Sequence, residues 1–551
     1  MRNHIVSAFA AIACTLSLPA LAQPLDDAES AAIDEVMGEL TSEGEPGVAV
    51  GVVRGGEVIL EAYTGEADLA HGIPLGPETR LNIASNAKQY VALMALDMAN
   101  RGMVDLDEDF RTYLPGVMEG VDQRITVADL ISHTSGIRDI YNLWSLTGVT
   151  WYERPYRNRD AMELLNRQTG LNFDPGSEHL YSNSNYILLA ELIAAVSGQD
   201  FHEYAGEFFA RIGMEDTGWR RRYGAFFPNQ ARAYGQWNGW LEDPAIANLF
   251  GDGFLFTTLG DQLAWEQQLQ GAASALDAGV IAASQARVDD ALPGAYGYGL
   301  EHGTYRGLQE ISHVGSTGGF NAYVRRFPER DLAIVVMGNT TQISVVGLGY
   351  TISDILLDDS YPEEQSYAAG PEAVLARPAT EVILGLYEGS NTLICITERD
   401  GELYREIEGR DPVRLIHEDG NVFAYESNAD LKMVFEPSGD GGRQFRIFLS
   451  SQPTSSYRML APLPESDASF AELEGRFVNP ETDTEIVIEH VSGTDFVMIK
   501  NGRRRDAQMV QGDELRWNDY RLRYQRDDGG PITGMLVDNG RMLNVDFPRV
   551  E

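Results

Sequence analysis

The spacing of apolar residues along the chain predicts where its helices and strands lie. Apolar positions three and four residues apart predict helices over 29–43, 85–101, 126–132, 185–196 and 344–357. The helix over 85–101 is expected to be amphipathic, with Ser85 at its start and Gly102 at its end. Short apolar runs bounded by turn residues predict strands over 48–53, 58–63, 298–301, 310–314, 320–327 and 332–337. This order of elements predicts an α+β domain whose antiparallel sheet combines strands from both ends of the segment.

The C-terminal part of the chain is predicted to repeat itself. Residues 358–380 are rich in Asp, Glu, Pro and Ala and are expected to form a linker. Beyond them, Gly385-Leu386-Tyr387 is matched about 90 residues later by Gly475-Arg476-Phe477, and 431–435 is matched by 520–524. Two such copies are enough for two small antiparallel β-barrels. The predicted domains are therefore a larger one over 23–365 and barrels over 366–465 and 466–551.

The N-terminus has the order of segments typical of a secretory signal peptide. Arg2 precedes an apolar run over 5–19, and Ala20-Leu21-Ala22 forms an A-x-A cleavage site. We therefore expect residues 1–22 to be removed and the mature protein to be periplasmic or secreted. No other stretch approaches the roughly 18 apolar residues that span a bilayer, so the mature chain is not expected to cross a membrane.

The charge composition narrows the possible partners. The 42 Lys and Arg residues against 83 Asp and Glu residues give a formal net charge of −41. Such a charge repels phosphate backbones, so nucleic acid is not expected as a partner. Only three of the basic residues are lysines, at positions 88, 432 and 500. No H-E-x-x-H motif or Cys/His cluster is present, so neither a metal nor another cofactor is expected.

The candidate chemistry begins at Ser85, which starts an S-x-x-K sequence on the first turn of a predicted helix. Residues three apart share a helix face, so the Lys88 amine can reach the Ser85 hydroxyl. A serine needs such a base to act as a nucleophile. The pattern alone is common, but Lys88 is the only lysine among the first 431 residues. This rarity favours a functional lysine over a chance match.

Two further motifs carry polar groups that suit the same reaction. The Tyr-Ser-Asn sequence at 181–183 can supply a phenol as proton carrier and an amide that holds a substrate carbonyl. The His-Val-Gly-Ser sequence at 313–316 ends a predicted strand. There Gly315 would let substrate approach the strand edge, and the Ser316 N–H could donate to an oxyanion beside that of Ser85. Taken alone, the first motif is equally compatible with a turn that packs its tyrosine, and the second with a Gly-rich hairpin.

Together, in this order and at these distances, the three motifs resemble the serine β-lactamase and penicillin-binding-protein superfamily. The resemblance covers about 45–358 and points to the branch of class C β-lactamases, D-aminopeptidases and related esterases. It implies a β-lactamase/transpeptidase-like fold, in which helices flank the sheet and an all-helical subdomain is present. It also implies that Ser85 is the acylated nucleophile and that Lys88 and Tyr181 share proton transfer. Asn183 would position the acyl group, and His313 would line the pocket.

The domain order resembles that of the D-aminopeptidases in this superfamily, which carry two eight-stranded lipocalin-like barrels behind the catalytic domain. In those enzymes a long loop of the last barrel enters the active site and supplies an acidic group that selects free amino termini. Here the segment 518–523, between Trp517 and Tyr524, is too short for such a loop. The exopeptidase restriction is therefore not expected, and the pocket should be more open.

Histidine at position 313 bears on the choice of substrate. A lysine at this site in the superfamily is a fixed cation that attracts the carboxylate of β-lactams, whereas histidine is mostly neutral at pH 7. We therefore expect slow acylation by β-lactams at most.

The leading hypothesis is an exported serine hydrolase that forms an acyl-serine intermediate on D-amino-acid amides, short peptides or small esters. The alternative among enzymes is a penicillin-recognising DD-peptidase or β-lactamase. From another class, the chain could be a binding protein whose barrels hold an apolar ligand and whose hydrolase domain is vestigial, but its catalytic motifs are intact. The expected partner is a small amide, peptide or ester, and a homodimer is left open.

Overall fold

The computed structural model describes residues 24–244, 246–288, 295–357, 376–389, 392–407, 410–426, 428–438, 442–449, 452–460, 470–511, 513–528 and 530–550. The signal peptide expected over 1–22 and most of the expected linker lie outside these residues. The α-helices of the described chain are α1 (Asp27–Glu39), α2 (Lys88–Asn100), α3 (Val127–Ser132), α4 (Ile140–Thr147), α5 (Asn158–Leu165), α6 (Asn183–Ser197), α7 (Phe201–Arg211), α8 (Leu259–Leu269), α9 (Ala278–Ser284) and α10 (Val345–Leu356). None of them is both long enough and apolar enough to span a membrane.

The first domain is built on a six-stranded antiparallel sheet in the order β10-β11-β12-β13-β1-β2. The strands of this domain are β1 (Val48–Arg54), β2 (Glu57–Thr64), β3 (Glu66–Asp68), β4 (Ile73–Pro74), β5 (Leu81–Asn82), β6 (Gly218–Trp219), β7 (Tyr234–Gln236), β8 (Trp240–Glu242), β9 (Leu255–Thr257), β10 (Glu301–Tyr305), β11 (Leu308–Thr317), β12 (Phe320–Phe327) and β13 (Leu332–Gly338). Because β1 pairs with β13, the sheet joins the two ends of the segment, which confirms the α+β prediction. The strand predicted over 298–301 is misplaced, since β10 begins only at Glu301.

Helices cover both faces of this sheet. Along β1, Val50 packs in one apolar cluster with Ile33 of α1 and Ile352 of α10. Ala49 and Val53 point the other way, into a cluster that contains α2, α6 and α8. Side chains of a strand alternate between its faces, so a strand that is buried throughout separates two apolar layers. The helical layer around α2 and α6 carries the candidate chemistry.

Helix α2 departs from its prediction in two ways. It begins at Lys88 and is preceded by a 3₁₀ turn over Ala84–Ala87, so Ser85 lies in the tighter turn. It is also not amphipathic, because every residue from Lys88 to Met98 is buried. A helix that is buried all round occupies the interior of a domain. This position places the amine of Lys88 inside the protein.

Two closed eight-stranded antiparallel barrels follow, as predicted. The first contains β14 (Gly385–Glu388), β15 (Leu393–Arg399), β16 (Glu402–Glu406), β17 (Val413–Asp419), β18 (Val422–Tyr425), β19 (Asn428–Pro437), β20 (Arg443–Leu449) and β21 (Gln452–Met459). The second contains β22 (Gly475–Asn479), β23 (Thr484–Ser492), β24 (Asp495–Lys500), β25 (Arg503–Gln511), β26 (Glu514–Trp517), β27 (Tyr520–Arg526), β28 (Ile532–Asn539) and β29 (Met542–Val550). The two sequence matches fall on the first and the sixth strand of each barrel.

The second barrel packs directly against the first domain. Its apolar core belongs to the same cluster as the helical layer, whereas the first barrel has a separate core. At this contact the buried Arg138 donates to the carbonyls of Leu543 and Asn544, at 3.1 and 2.9 Å. The Lys500 amine donates to the Ser145 carbonyl, in the last turn of α4, at 2.7 Å. The second barrel therefore forms a continuous packed unit with the first domain.

Candidate active site

The three motifs of the sequence meet at one end of the sheet, beside α2. A cavity of about 230 Å³ opens there. Its lining residues come from the turn before α2, from α4 and the segment after it, from the start of α6, from the segment before β9, from the end of β11 and from the second barrel: Ala84, Ser85, Tyr141, Trp151, Asn183, Asp252, Gly253, Phe254, Ser316, Thr317 and Arg541. Ser85 is partly exposed in this cavity, as a nucleophile must be.

The amine of Lys88 lies behind Ser85. Its Nζ donates to Ser85 Oγ at 3.0 Å, to Asn183 Oδ1 at 3.0 Å and to the main-chain oxygen of Asp252. Lys88 is fully buried. The S-x-x-K spacing therefore produces the contact that it predicts, and two residues from elsewhere in the chain hold the amine in place.

The pKa of Lys88 is lowered to about 7, chiefly by burial and also by the nearby guanidinium of Arg541, while the carboxylates of Asp252 and Asp139 oppose this shift. Taking a charged amine out of water favours its neutral form. A neutral amine has a lone pair that can accept the proton of Ser85. Lys88 is thus suited to act as a general base near neutral pH.

We expect kcat/KM to rise with pH through about 7. Below that pH the Lys88 amine is protonated and cannot accept a proton, so the rate should fall roughly tenfold per pH unit. Measuring kcat/KM on D-alanine p-nitroanilide between about pH 5 and pH 9 tests this expectation. A profile that stays flat down to the acid end would show that Lys88 is not the base.

Tyr181 lies beside both Ser85 and Lys88, with the Lys88 Nζ 4.9 Å from the centroid of its ring. Burial raises the pKa of its phenol, while a hydrogen bond with Ser85 and the charge of Arg541 oppose that shift. Its ring packs on that of His133 with 4.3 Å between the ring centroids. The raised pKa keeps the phenol protonated, so Tyr181 is suited to donate a proton and not to act as a phenolate base.

Asn183 is fixed by contacts at both ends of its amide. Its Oδ1 accepts from Lys88, and its Nδ2 donates to Asp139 Oδ2 at 2.8 Å. Its main-chain N–H donates to the same carboxylate oxygen at 2.8 Å. Nδ2 keeps a second hydrogen, which can reach a substrate carbonyl in the cavity.

His313 was expected to line the pocket, but it is not among the residues that line this cavity. Its Nδ1 donates to the Val314 carbonyl at 2.7 Å, and its Nε2 accepts from the Tyr296 hydroxyl at 2.9 Å. Burial and the nearby charge of Lys88 lower the pKa of His313 to about 3. The ring is therefore neutral and is occupied by protein partners on both sides.

Gly315 was expected to let substrate approach the edge of the strand, but in the structure it makes room for a backbone turn. A Cβ at this position would lie 2.2 Å from the Ile83 carbonyl oxygen and 3.0 Å from the Ser85 nitrogen. The space that glycine leaves is filled by the turn that carries Ser85, not by substrate. Ser316, the next residue, does line the cavity, and its N–H as an oxyanion donor stays a prediction.

Sequence reasoning missed three charged residues of the site. Asp139 caps the N-terminus of α4 and holds Asn183. Asp252 accepts from the Tyr141 hydroxyl at 2.6 Å through Oδ2, while its buried Oδ1 has no hydrogen-bond partner. Arg541 comes from the second barrel. Of the three, only Asp252 has a local signal in the sequence, since it stands between two glycines.

Among the described residues, no group of three or more His, Cys, Asp and Glu side chains is placed to hold a metal.

The barrel loop that the sequence was expected to lack is indeed short, because Trp517 pairs directly with Tyr520 at the β26–β27 turn. A neighbouring turn of the same barrel, between β28 and β29, reaches the cavity instead. It brings a cation, Arg541, where an acidic group was described for the resembling enzymes.

This fold and this arrangement of a serine and a buried lysine define a class of enzyme. A family model for beta-lactamases matches residues 26–350. The chain belongs to the beta-lactamase family and is a serine hydrolase.

Within that family, full-length relatives are D-aminopeptidases. The D-aminopeptidase of Brucella canis is 30% identical over 527 residues, which cover 92% of this chain and 96% of the relative. That of Brucella ovis is 31% identical with the same coverage.

Among solved structures, the octameric penicillin-binding protein homologue from Pyrococcus abyssi superposes with a TM-score of 0.54 at 18% identity, covering 78% of this chain and 99% of that one. SurE with D-Leu superposes with a TM-score of 0.53 at 22% identity, covering 79% and 100%. These likenesses show a shared fold.

Proposed function

We propose that the protein is an exported hydrolase that releases D-amino acids from amides and short peptides through an acyl intermediate on Ser85. The observation that carries this proposal is the fully buried Lys88 amine within 3.0 Å of the Ser85 hydroxyl. The full-length similarity to D-aminopeptidases supports the acyl specificity. Export rests on the leader pattern over 1–22, with the periplasm or the medium as the destination. A homodimer stays a prediction.

In this mechanism the neutral Lys88 amine takes the proton of Ser85 Oγ while that oxygen attacks the scissile carbonyl carbon. Main-chain N–H groups of Ser85 and Ser316 stabilise the resulting oxyanion, and the Asn183 amide orients the acyl group. Tyr181, hydrogen-bonded to Ser85, passes a proton to the leaving nitrogen as the C–N bond breaks. The proton that Lys88 gained returns to Tyr181, which restores both groups.

Hydrolysis of the acyl-enzyme repeats these steps with water in place of the serine. The Lys88 amine takes a proton from the water as its oxygen adds to the acyl carbon. Ser85 then leaves with a proton from Tyr181, and the protonated amine returns its proton to Tyr181. No step requires a group that these residues do not provide. Asp139 acts by positioning Asn183 and Tyr141.

A substrate panel tests the proposal. We expect D-alanine p-nitroanilide to be cleaved faster than L-alanine p-nitroanilide, with short p-nitrophenyl esters cleaved as well and nitrocefin only slowly. A fluorophosphonate should add its mass to Ser85, and Ser85→Ala should lose both the adduct and the activity. Rapid nitrocefin turnover, or equal rates on the two alanine enantiomers, would contradict D-aminoacyl specificity. Absence of any adduct on Ser85 would contradict the acyl-serine mechanism.

A further inference from the structure

The second barrel contributes a cation to the cavity that contains Ser85. Arg541 lies in the turn between β28 and β29, and its side chain lines the same cavity as Ser85 and Asn183. That side chain keeps 34% of its surface exposed. Among the described residues that line the cavity, Arg541 is the one cationic side chain. An approaching substrate therefore meets this charge first, because Lys88 lies behind Ser85.

The backbone around Arg541 is held by the first domain. Its carbonyl oxygen accepts from the Asp139 N–H at 3.1 Å and from Asn172 Nδ2 at 3.2 Å. Two residues further on, the Leu543 N–H donates to Asn172 Oδ1 at 2.7 Å. These hydrogen bonds hold the backbone of Arg541 and of the residues that follow it, and so restrict where the guanidinium can lie. Fixed placement of this kind is what a specificity residue needs.

The guanidinium of Arg541 has N–H donors available for a ligand. Its nearest carboxylate oxygen, Asp139 Oδ2, is 3.5 Å away and already accepts two hydrogen bonds from Asn183 at 2.8 Å. The guanidinium also lies over the ring of Tyr181, with 5.2 Å to the ring centroid. Within the described chain no hydrogen bond from this guanidinium is found. Arginine carries five N–H donors in a planar fork that matches a carboxylate.

The cavity also carries an acidic group. Asp252 also lines the cavity, and its buried Oδ1 has no hydrogen-bond partner. One acidic and one cationic side chain in a small cavity complement a zwitterion. At about 30 Å³ for each water molecule, roughly eight waters would fill the volume of about 230 Å³. A dipeptide is of this size, and its carboxylate lies only two bonds from the scissile amide nitrogen.

We propose that Arg541 binds the carboxylate of the leaving group, so that the enzyme prefers D-aminoacyl dipeptides with a free C-terminal carboxylate to the corresponding amides. The inference rests on the proposed function and names the substrate class of that same site. It gives the second barrel a part in substrate selection. Arg541 would thus supply the positive charge that a lysine at position 313 supplies in the superfamily and that a neutral histidine does not.

The test compares D-alanylglycine with D-alanylglycinamide, which differ only in the charge of the leaving group. For the wild-type protein we expect kcat/KM to be roughly ten- to a hundredfold higher on D-alanylglycine. In Arg541→Gln this ratio should fall to about one, and Arg541→Lys should keep part of it, because lysine retains the charge without the fork. The matched control is Arg503→Gln, which removes an exposed arginine of β25 in the same barrel and should keep the wild-type ratio.

A ratio near one for the wild-type protein, or an unchanged ratio in Arg541→Gln, would overturn the inference. So would equal losses on both compounds in Arg541→Gln, because they would mean that Arg541 acts only through the charge balance around Lys88. If the wild-type protein hydrolyses neither compound, the proposed function fails instead. Arg541 is then tested by the protection that each compound gives Ser85 against a fluorophosphonate, which requires binding only. Better protection by D-alanylglycine in wild type, lost in Arg541→Gln, would support the carboxylate site.

Discussion

Replacing Lys88 with methionine is expected to lower kcat/KM on D-alanine p-nitroanilide by roughly 10³- to 10⁴-fold. Methionine has a similar length but no amine, so nothing accepts the Ser85 proton. The variant should still fold. The wild-type chain already bears the cost of burying this amine completely, and an apolar side chain removes that cost. Activity assays, with circular dichroism for the fold, make the measurement.

Two further variants separate the basicity of Lys88 from its charge. Lys88→Arg keeps a cation that does not deprotonate in proteins, so it should be as inactive as Lys88→Met. Lys432→Met removes a lysine of the first barrel, which pairs with Glu418 and does not line the cavity, and should leave kcat/KM unchanged. If Lys88→Met kept more than about a tenth of the wild-type rate, the general-base role would be wrong.

Introducing a methyl group at Gly315 should disable the site without touching any polar group. In Gly315→Ala the new Cβ would meet the Ile83 carbonyl oxygen at 2.2 Å and the Ser85 nitrogen at 3.0 Å. Backbone atoms cannot turn aside as a flexible side chain can, so β11 or the turn that carries Ser85 must shift. A displacement of about 1 Å at a nucleophile lowers the rate roughly 10²-fold. We expect that loss in kcat/KM together with a lower melting temperature.

The control for this variant is Gly303→Ala. Gly303 lies on the neighbouring strand β10, and a Cβ there meets no atom within 4 Å. It should therefore keep the wild-type rate and melting temperature. Full activity of Gly315→Ala would show that the Ser85 turn tolerates displacement and that the glycine has no part in placing it.

Elements whose residues follow a simple period were predicted closely. Strand β12 was predicted over the residues it occupies, and α6 begins two residues earlier than expected. The two barrels were predicted from an internal repeat, which the structure shows to be the first and sixth strands of each barrel. Helix α2 was predicted at the right place but with the wrong environment. A periodic pattern shows that a helix has an apolar face. It does not show whether the polar residues on the opposite face are also buried by the rest of the protein.

The residues of the candidate site also differ in how well the sequence predicted them. Ser85 and Lys88 are three residues apart, so helix geometry alone brings them together. The Tyr181 and Asn183 motif was found because its side-chain types fit that chemistry. Asp139 and Asp252 were not found, since an acidic residue beside a helix or in a glycine turn is ordinary in a chain with 83 of them. The expectation that His313 lines the pocket could not take into account that Tyr296 and the Val314 carbonyl occupy its ring, because the sequence does not show these contacts.

By itself, the sequence determined the contact between Ser85 and Lys88, the sheet and helices around them, and the two barrels, since each depends on neighbours in the chain or on a repeated pattern. The tertiary structure alone decided how strongly Lys88 is desolvated and which charges surround it. It also decided that Arg541, one of 39 arginines, enters the cavity of a serine more than 450 residues away. The physical reason is that burial and electrostatics depend on distances through space, which sequence separation does not encode.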